Sequence, residues 1–146
     1  MTDTMGKAPP LLDQQLCFAL YSTSRAITKV YADLLEKLGL TYPQYLAMLV
    51  LWEKDGLSVQ EIADRLQLEG ATTTPLIQRI ERMGLVLKKR STTDERRQDV
   101  FLTEKGRALG VHASSVPERL GCALNITDEK AYALLDEIKR LRAAIV

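Results

Sequence analysis

The chain has 146 residues, 46% hydrophobic and 27% charged, which is the composition of one globular domain rather than of a disordered segment. Its formal net charge is only +1, so any attraction for a polyanion has to come from where the charges sit and not from their sum. No apolar run approaches the roughly 18 residues of a membrane span, so no membrane partner is expected.

The N-terminus, Met1 to Pro10, lacks the apolar core of a secretory signal and reads as a short disordered arm. A cytoplasmic location follows as the expectation, with thiols kept reduced. The first helical stretch runs from about 12 to 38. Leu16, Leu20, Thr23, Ile27, Val30, Leu34 and Leu38 recur at alternating spacings of four and three and mark one apolar face. Gly39 is placed to end it. Thr41 and Gln44 fit a capping box that opens a second helix through Trp52, with Pro43 tolerated in its first turn. Asp55-Gly56 signals a turn.

Ser58 and Glu61 form another capping box, opening a short helix to about Leu66. A compact link leads to a helix from about Ala71 to Met83, closed by Gly84. Two β-rich segments follow, Leu85 to Lys89 and Gln98 to Leu102, joined by the polar stretch Arg90 to Arg97. Helix, tight turn, helix and hairpin in that order make a winged helix-turn-helix over about 58–103. Thr103 starts another helix to about Ser115, and Pro117 punctuates the chain. The last helix begins after Thr127, with Ala131, Leu134, Ile138, Leu141 and Ile145 on one side. The fold class is therefore mainly α with a small β-hairpin wing, in a single domain spanning 1–146. The amphipathic stretches at about 12–38 and 128–146 either pack on the domain's own core or pair with a second subunit. Two-fold dimers are the common form of operator-reading proteins, which favours a homodimer.

In the second helix of the motif, Leu76, Ile80 and Met83 share one face and are expected to pack inward. Thr73, Thr74, Gln78, Arg79 and Arg82 are left for a major groove, where short hydroxyl and amide groups reach base edges and arginine bonds phosphate or guanine. From Arg79 to Arg97 seven basic side chains face three acidic ones, a net +4 in a chain whose total is +1. Clustering of this kind on a reading helix and wing is what phosphate binding requires; alone it would equally describe a solvated surface. Double-stranded operator DNA is the expected partner.

The run Asp94-Glu95-Arg96-Arg97-Gln98-Asp99-Val100-Phe101-Leu102-Thr103-Glu104-Lys105-Gly106 resembles the wing signature of the MarR family of bacterial regulators, with an aspartate and arginine at the tip and a Leu-Thr-x-x-Gly ending. The resemblance extends over essentially the whole chain. It implies that Arg96 enters the minor groove and that Asp94 helps to hold it, while Arg97 is assigned to the DNA-binding surface as part of the basic cluster. It also implies an inverted-repeat operator.

Six of the eight aromatics lie between Phe18 and Trp52, and Tyr21 shares a helix face with Cys17 four residues before it. Tyrosine hydroxyls stabilise a thiolate by donating to it, and an ordinary thiol is only about 3% ionised at pH 7. Cys17 also sits in the opening turns of its helix, where the dipole weakly favours negative charge. Taken alone, these features equally fit a small buried hydrophobe beside core aromatics. The motifs Leu16-Cys17-Phe18-Ala19-Leu20-Tyr21 and Leu40-Thr41-Tyr42-Pro43-Gln44-Tyr45 resemble the organic-hydroperoxide resistance regulators, the OhrR branch of the MarR family. That resemblance implies that organic hydroperoxides oxidise Cys17, that Tyr31 and Tyr42 hydrogen-bond its sulfur, and that Cys122 resolves the oxidised form as an intersubunit disulfide.

The implied protein is a redox-sensing transcriptional repressor, not an enzyme, and needs no cofactor or metal. A repressor governed by a small aromatic ligand, with Cys17 merely lining its pocket, is the nearest alternative. A thiol-dependent peroxidase shares the cysteine chemistry but leaves the basic wing without a purpose. His112, the single histidine, is far in sequence from Cys17, and there is no phosphate loop, zinc motif or nucleophile elbow.

Overall fold

A computed structural model describes residues 8–146; the first seven residues of the arm expected over Met1 to Pro10 lie outside it. The element order is α1 (Leu16–Leu35), α2 (Tyr42–Glu53), β1 (Leu57–Ser58), α3 (Val59–Leu66), α4 (Gly70–Arg82), β2 (Val86–Arg90), β3 (Gln98–Leu102), α5 (Glu104–Ala113), α6 (Val116–Ala123) and α7 (Asp128–Ile145). Among the described residues no helix is long and apolar enough to cross a membrane.

The first stretch is not one helix. A single 3-10 turn over Leu12–Gln14 is separated from α1 by Gln15 in extended conformation, and a second 3-10 turn, Glu36–Leu38, tightens the end. Apolar spacing continues across both breaks, which is why periodicity alone reads them as continuous. Gly39 then adopts a left-handed φ of 69° and reverses the chain. Both capping boxes form. Thr41 and Gln44 exchange side-chain-to-backbone bonds at the start of α2, and Ser58 and Glu61 do the same at α3, each pair satisfying two otherwise unpaired N–H groups.

The hairpin is part of a three-stranded antiparallel sheet in the order β1-β3-β2, with Leu57 opposite Val100 on one side and Lys88 opposite it on the other. The two-residue β1 is invisible to pattern reading because it is shorter than one alternation. Pro117 does not interrupt the chain. It lies in the first turn of α6, where its missing N–H costs nothing, so Cys122 sits in the last turn of a helix.

The core gathers Leu35, Tyr45, Met48 and Leu51 from the first two helices with Ile62, Ile77, Ile80, Val86 and Val100 from the helix-turn-helix and sheet, closed by Ala113 and Val116. The winged segment is locked to α2 and α5 by polar links. One Asp55 carboxylate oxygen accepts the N–H groups of Gly56 and Leu102, while the other meets Arg107 at 2.8 Å. Trp52 donates its indole N–H to the Gly106 carbonyl at 2.9 Å. Gly106 is the glycine of the Leu-Thr-x-x-Gly ending, and its identity has a packing cause: a Cβ there would run into the Leu85 carbonyl oxygen. By contrast, α7 buries none of its 18 residues.

Candidate functional site

Two surfaces concern function, the basic head and the ground around the cysteines. Along α4, Leu76, Ile77 and Ile80 are buried and Met83 packs partly against the core, leaving Thr74, Gln78, Arg79 and Arg82 exposed on the opposite side. Thr73, expected on that exposed side, is fully buried, and its hydroxyl donates to the Glu69 carbonyl at 3.0 Å. It cannot reach a base edge. Position 73 continues the inward row through 76, 77 and 80, a spacing that marks its burial. Thr74 likewise donates to the Gly70 carbonyl, which leaves its exposed oxygen free to accept. Among the described residues, neither Arg79 nor Arg82 has an acidic partner.

The two wing arginines differ. Arg97 is ion-paired at the protein surface, its Nε 2.6 Å from Asp99 Oδ1 and its Nη2 2.9 Å from Glu61 Oε2. Glu61 is the same residue that accepts the Ser58 N–H in the capping box. That backbone hydrogen bond, aided by Arg97, holds its carboxyl below the usual range. The bond to Asp99 likewise raises the pKa of Arg97. Arg97 thus fastens the wing root to the N-terminus of α3, and its part-exposed side chain also lines the hollow between α3, α4 and the wing. Arg96 is exposed at the tip and unpaired among the described residues. Asp94 holds its backbone rather than its guanidinium, accepting the Arg96 N–H at 3.0 Å while the Asp94 carbonyl accepts from Arg97.

Between α3, α4 and the wing lies a concavity of about 580 Å³, reached by Ser58, Gln60, Thr74, Lys88, Arg90 and Arg96. Lys88 and Arg90 were legible only as part of a charge cluster. Gln60 was not legible at all, since its place depends on how the wing folds back over α3. Lys88 also receives Glu81 of α4, which accepts the Lys88 backbone N–H at 3.1 Å and so ties β2 to that helix.

Cys17 lies in the first turn of α1 and is exposed, as is Cys122 near the end of α6. A cavity of about 570 Å³ opens beside Cys122, lined in part by Glu118, Asn125 and Asp128. Tyr31 and Tyr42 stack with ring centroids 4.3 Å apart and Tyr45 closes against Tyr31 at 5.8 Å. Burial, with the neighbouring Tyr42 and Tyr45, pushes the Tyr31 hydroxyl up to about 12, and burial raises Tyr42 and Tyr45 as well. These phenols stay protonated at physiological pH and so remain hydrogen-bond donors. Tyr21 is exposed, with the Arg25 guanidinium 5.6 Å above its ring. No side-chain hydrogen bond among the described residues reaches the Cys17 sulfur. For Tyr31 the reason is distance: fourteen helical residues at about 1.5 Å each put it roughly 21 Å along α1 from Cys17. Tyr42 is stacked at that same distant end.

A large apolar groove, about 640 Å³, runs between α1 and α7, from Leu16, Leu20 and Ile27 to Leu134, Ile138 and Leu141, with Tyr42 also at its wall.

The family model described as transcriptional regulator SarA/Rot matches residues 29–110. The HTH-type transcriptional regulator TtmR of Methylorubrum extorquens is 44% identical over 97% of this chain and 73% of its own length. The organic hydroperoxide resistance transcriptional regulator of Bacillus subtilis is 42% identical over 92% of this chain and 86% of its own. Among solved structures, AbfR of Staphylococcus epidermidis is similar in more than one state. Reduced AbfR bound to DNA superposes with a TM-score of 0.78 at 31% identity, covering 92% of this chain and 95% of that one. The disulfide-formed AbfR gives 0.65 at 33% identity, over 92% of each chain.

Proposed function

The chain belongs to the winged-helix transcriptional regulators of the SarA/Rot and MarR type, and from that premise we propose that it is a peroxide-controlled repressor. A reduced homodimer holds an inverted-repeat operator and releases it when an organic hydroperoxide oxidises Cys17. The observation that carries this reading is the position of Cys17: an exposed thiol in the first turn of α1, beside the groove that α1 and α7 leave open. The Bacillus subtilis relative named for organic hydroperoxide resistance supports the oxidant. The AbfR structures, one reduced on DNA and one disulfide-formed, support the redox control.

The dimer follows from energetics. An isolated 18-residue helix is marginal in water, and α7 exposes Leu134, Leu135, Ile138, Leu141 and Ile145 with nothing of its own chain to bury them. Full burial of one such side chain contributes about 1.5–3 kcal/mol, so a second copy seated in the groove supplies what the single chain lacks. The same arrangement answers the 21 Å separation. Tyr31 and Tyr42 support the Cys17 thiolate across the interface, and their high pKa values keep them donors. Tyr21, beside Cys17 on its own helix, is the same-chain candidate.

In the chemistry, the Cys17 thiolate attacks the outer peroxide oxygen. The O–O bond breaks, the alkoxide leaves and takes a proton to become an alcohol, and the sulfur becomes a sulfenic acid. The Cys122 thiolate of the other subunit then displaces hydroxide from that sulfur, forming the disulfide and, with one proton, water. On the DNA side, Thr74, Gln78, Arg79 and Arg82 of α4 meet the major groove and Arg96 the minor groove, while Asp94 and Arg97 set the wing's posture. Shifting operator affinity a hundredfold needs only about 2.7 kcal/mol of difference between the reduced and oxidised arrangements.

Non-reducing gels after treatment with cumene hydroperoxide test the disulfide step. A covalent dimer is expected from the wild-type chain and none from Cys122→Ser. A covalent dimer that persists in Cys122→Ser, or fails to form with both cysteines intact, contradicts the resolving role.

A further inference from the structure

Serine and threonine fall into two groups in this chain. Among the described residues, those outside the wing all lie within helices or at their caps, where the backbone is already committed to helical hydrogen bonds. Ser91, Thr92 and Thr93 alone sit in an irregular connection, between the end of β2 at Arg90 and the start of β3 at Gln98. Ser91 and Thr93 spend their hydroxyls on each other at 2.9 Å, and Ser91 Oγ also accepts the Thr93 N–H. Thr92 is exposed, and among the described residues its hydroxyl makes no hydrogen bond. Positive charge stands on both sides of it. Lys89 and Arg90, both exposed, lie three and two residues before it. Arg96, exposed and without an acidic partner among the described residues, returns on the other arm. The Ser91 N–H donates to the Arg97 carbonyl at 2.8 Å and closes the loop there, so Thr92 and Arg96 are the next residues in from that closure on the two arms.

We propose that Thr92 is a phosphorylation site, modified by a serine/threonine kinase whose acidic groove receives Lys89 and Arg90, and that the phosphate releases the wing from DNA. The consequence rests on the DNA-binding reading, whereas the site itself does not. In the transfer, the Thr92 hydroxyl oxygen attacks the γ-phosphorus of a nucleoside triphosphate. The bond to the bridging β-phosphate oxygen breaks, the nucleoside diphosphate leaves, and the hydroxyl proton passes to solvent. The product carries about −1.5 to −2 charges at neutral pH, with three strong acceptor oxygens. Between Arg90 and Arg97 three basic side chains face two acidic ones, a net +1, so one phosphate reverses the sign of the loop that faces the DNA backbone. Arg96 is the free donor placed to take that phosphate, and a guanidinium so engaged is withdrawn from the groove. The switch acts through charge at the wing and uses neither cysteine.

Full-length protein incubated with radiolabelled ATP and an extract of its source cells is expected to take up label, and Thr92→Val to take up none. The exposed, unbonded hydroxyl makes that substitution harmless to the fold. In a mobility shift, reduced full-length protein carrying Thr92→phosphoserine is expected to bind operator about a hundredfold more weakly than Thr92→Ser, and phosphatase is expected to restore it. Absence of label, label that persists in Thr92→Val, or equal operator affinity with and without the phosphate overturns the proposal. Failure of the unmodified chain to bind operator would instead count against the DNA-binding reading and the consequence drawn from it, while the labelling, which needs no DNA, still decides the site.

Discussion

The winged segment from Leu57 to Leu102 and the terminal helix α7 are each amphipathic by sequence, yet they end in opposite conditions. In the winged segment Ile62, Ile77, Ile80, Val86 and Val100 are fully buried, and its edges are tied down through Asp55, Trp52 and the Glu61–Arg97–Asp99 cluster. In α7 nothing is buried, and its one ion pair, Arg140 with Asp136, lies within the helix itself. A face that is satisfied inside one chain specifies local structure. A face left open specifies a partner. The head is therefore complete in a single chain, and the part that would carry a redox signal to it is not.

The largest effect expected from breaking this contrast comes from Ile138→Asp with Leu141→Asp. Charges in the groove between α1 and α7 prevent burial against a second copy, so sedimentation is expected to show monomers at micromolar concentration. Operator affinity is expected to fall at least a hundredfold, because two half-sites are no longer held together. A dimer that survives both substitutions places the interface elsewhere.

A smaller effect separates the two wing arginines. Arg96→Ala is expected to weaken operator binding and flatten the dependence of log K on log salt by roughly one to two, because each subunit loses a charge facing DNA. Arg97→Ala is expected to weaken binding with little change in that slope, since its charge is already met by Glu61 and Asp99. Equal slopes for the two variants would erase the distinction.

The smallest is a matter of pH. Tyr31, raised to about 12 in the folded chain, is deprotonated in the unfolded chain from about 10 upward. In that window the folded state binds more protons than the unfolded one, so its stability is full below pH 10 and falls as pH rises toward 12. Absorbance at 295 nm is expected to show Tyr31, Tyr42 and Tyr45 ionising above the ordinary tyrosine range. A single titration step for all of them near pH 10 would remove the buried aromatic stack from the account.

What sequence alone reveals divides along the same line. Both capping boxes, the glycine that reverses the chain at 39 and the order of the winged motif are legible, because each depends on residues within a few positions of one another. The break at Gln15 and the 3-10 turn over Glu36–Leu38 are not, since apolar spacing runs through both undisturbed. Burial of Thr73 is signalled by its place in the row with Leu76, Ile77 and Ile80, but its polar hydroxyl masks that signal until the Glu69 carbonyl is seen to accept it. The commitment of Arg97 depends on Glu61, 36 positions away, and no local pattern encodes such a meeting. The separation of Cys17 from Tyr31 follows from helix geometry once α1 is known to be straight through both. The open face of α7 emerges only when the rest of the chain is seen not to cover it.

An operator mobility shift with wild-type and Cys17→Ser protein, exposed to cumene hydroperoxide and then to dithiothreitol, tests the central claim most directly. The account predicts that hydroperoxide releases the wild type from DNA, that dithiothreitol restores it, and that Cys17→Ser stays bound throughout. Release of Cys17→Ser by hydroperoxide, or retention of the wild type, would contradict it.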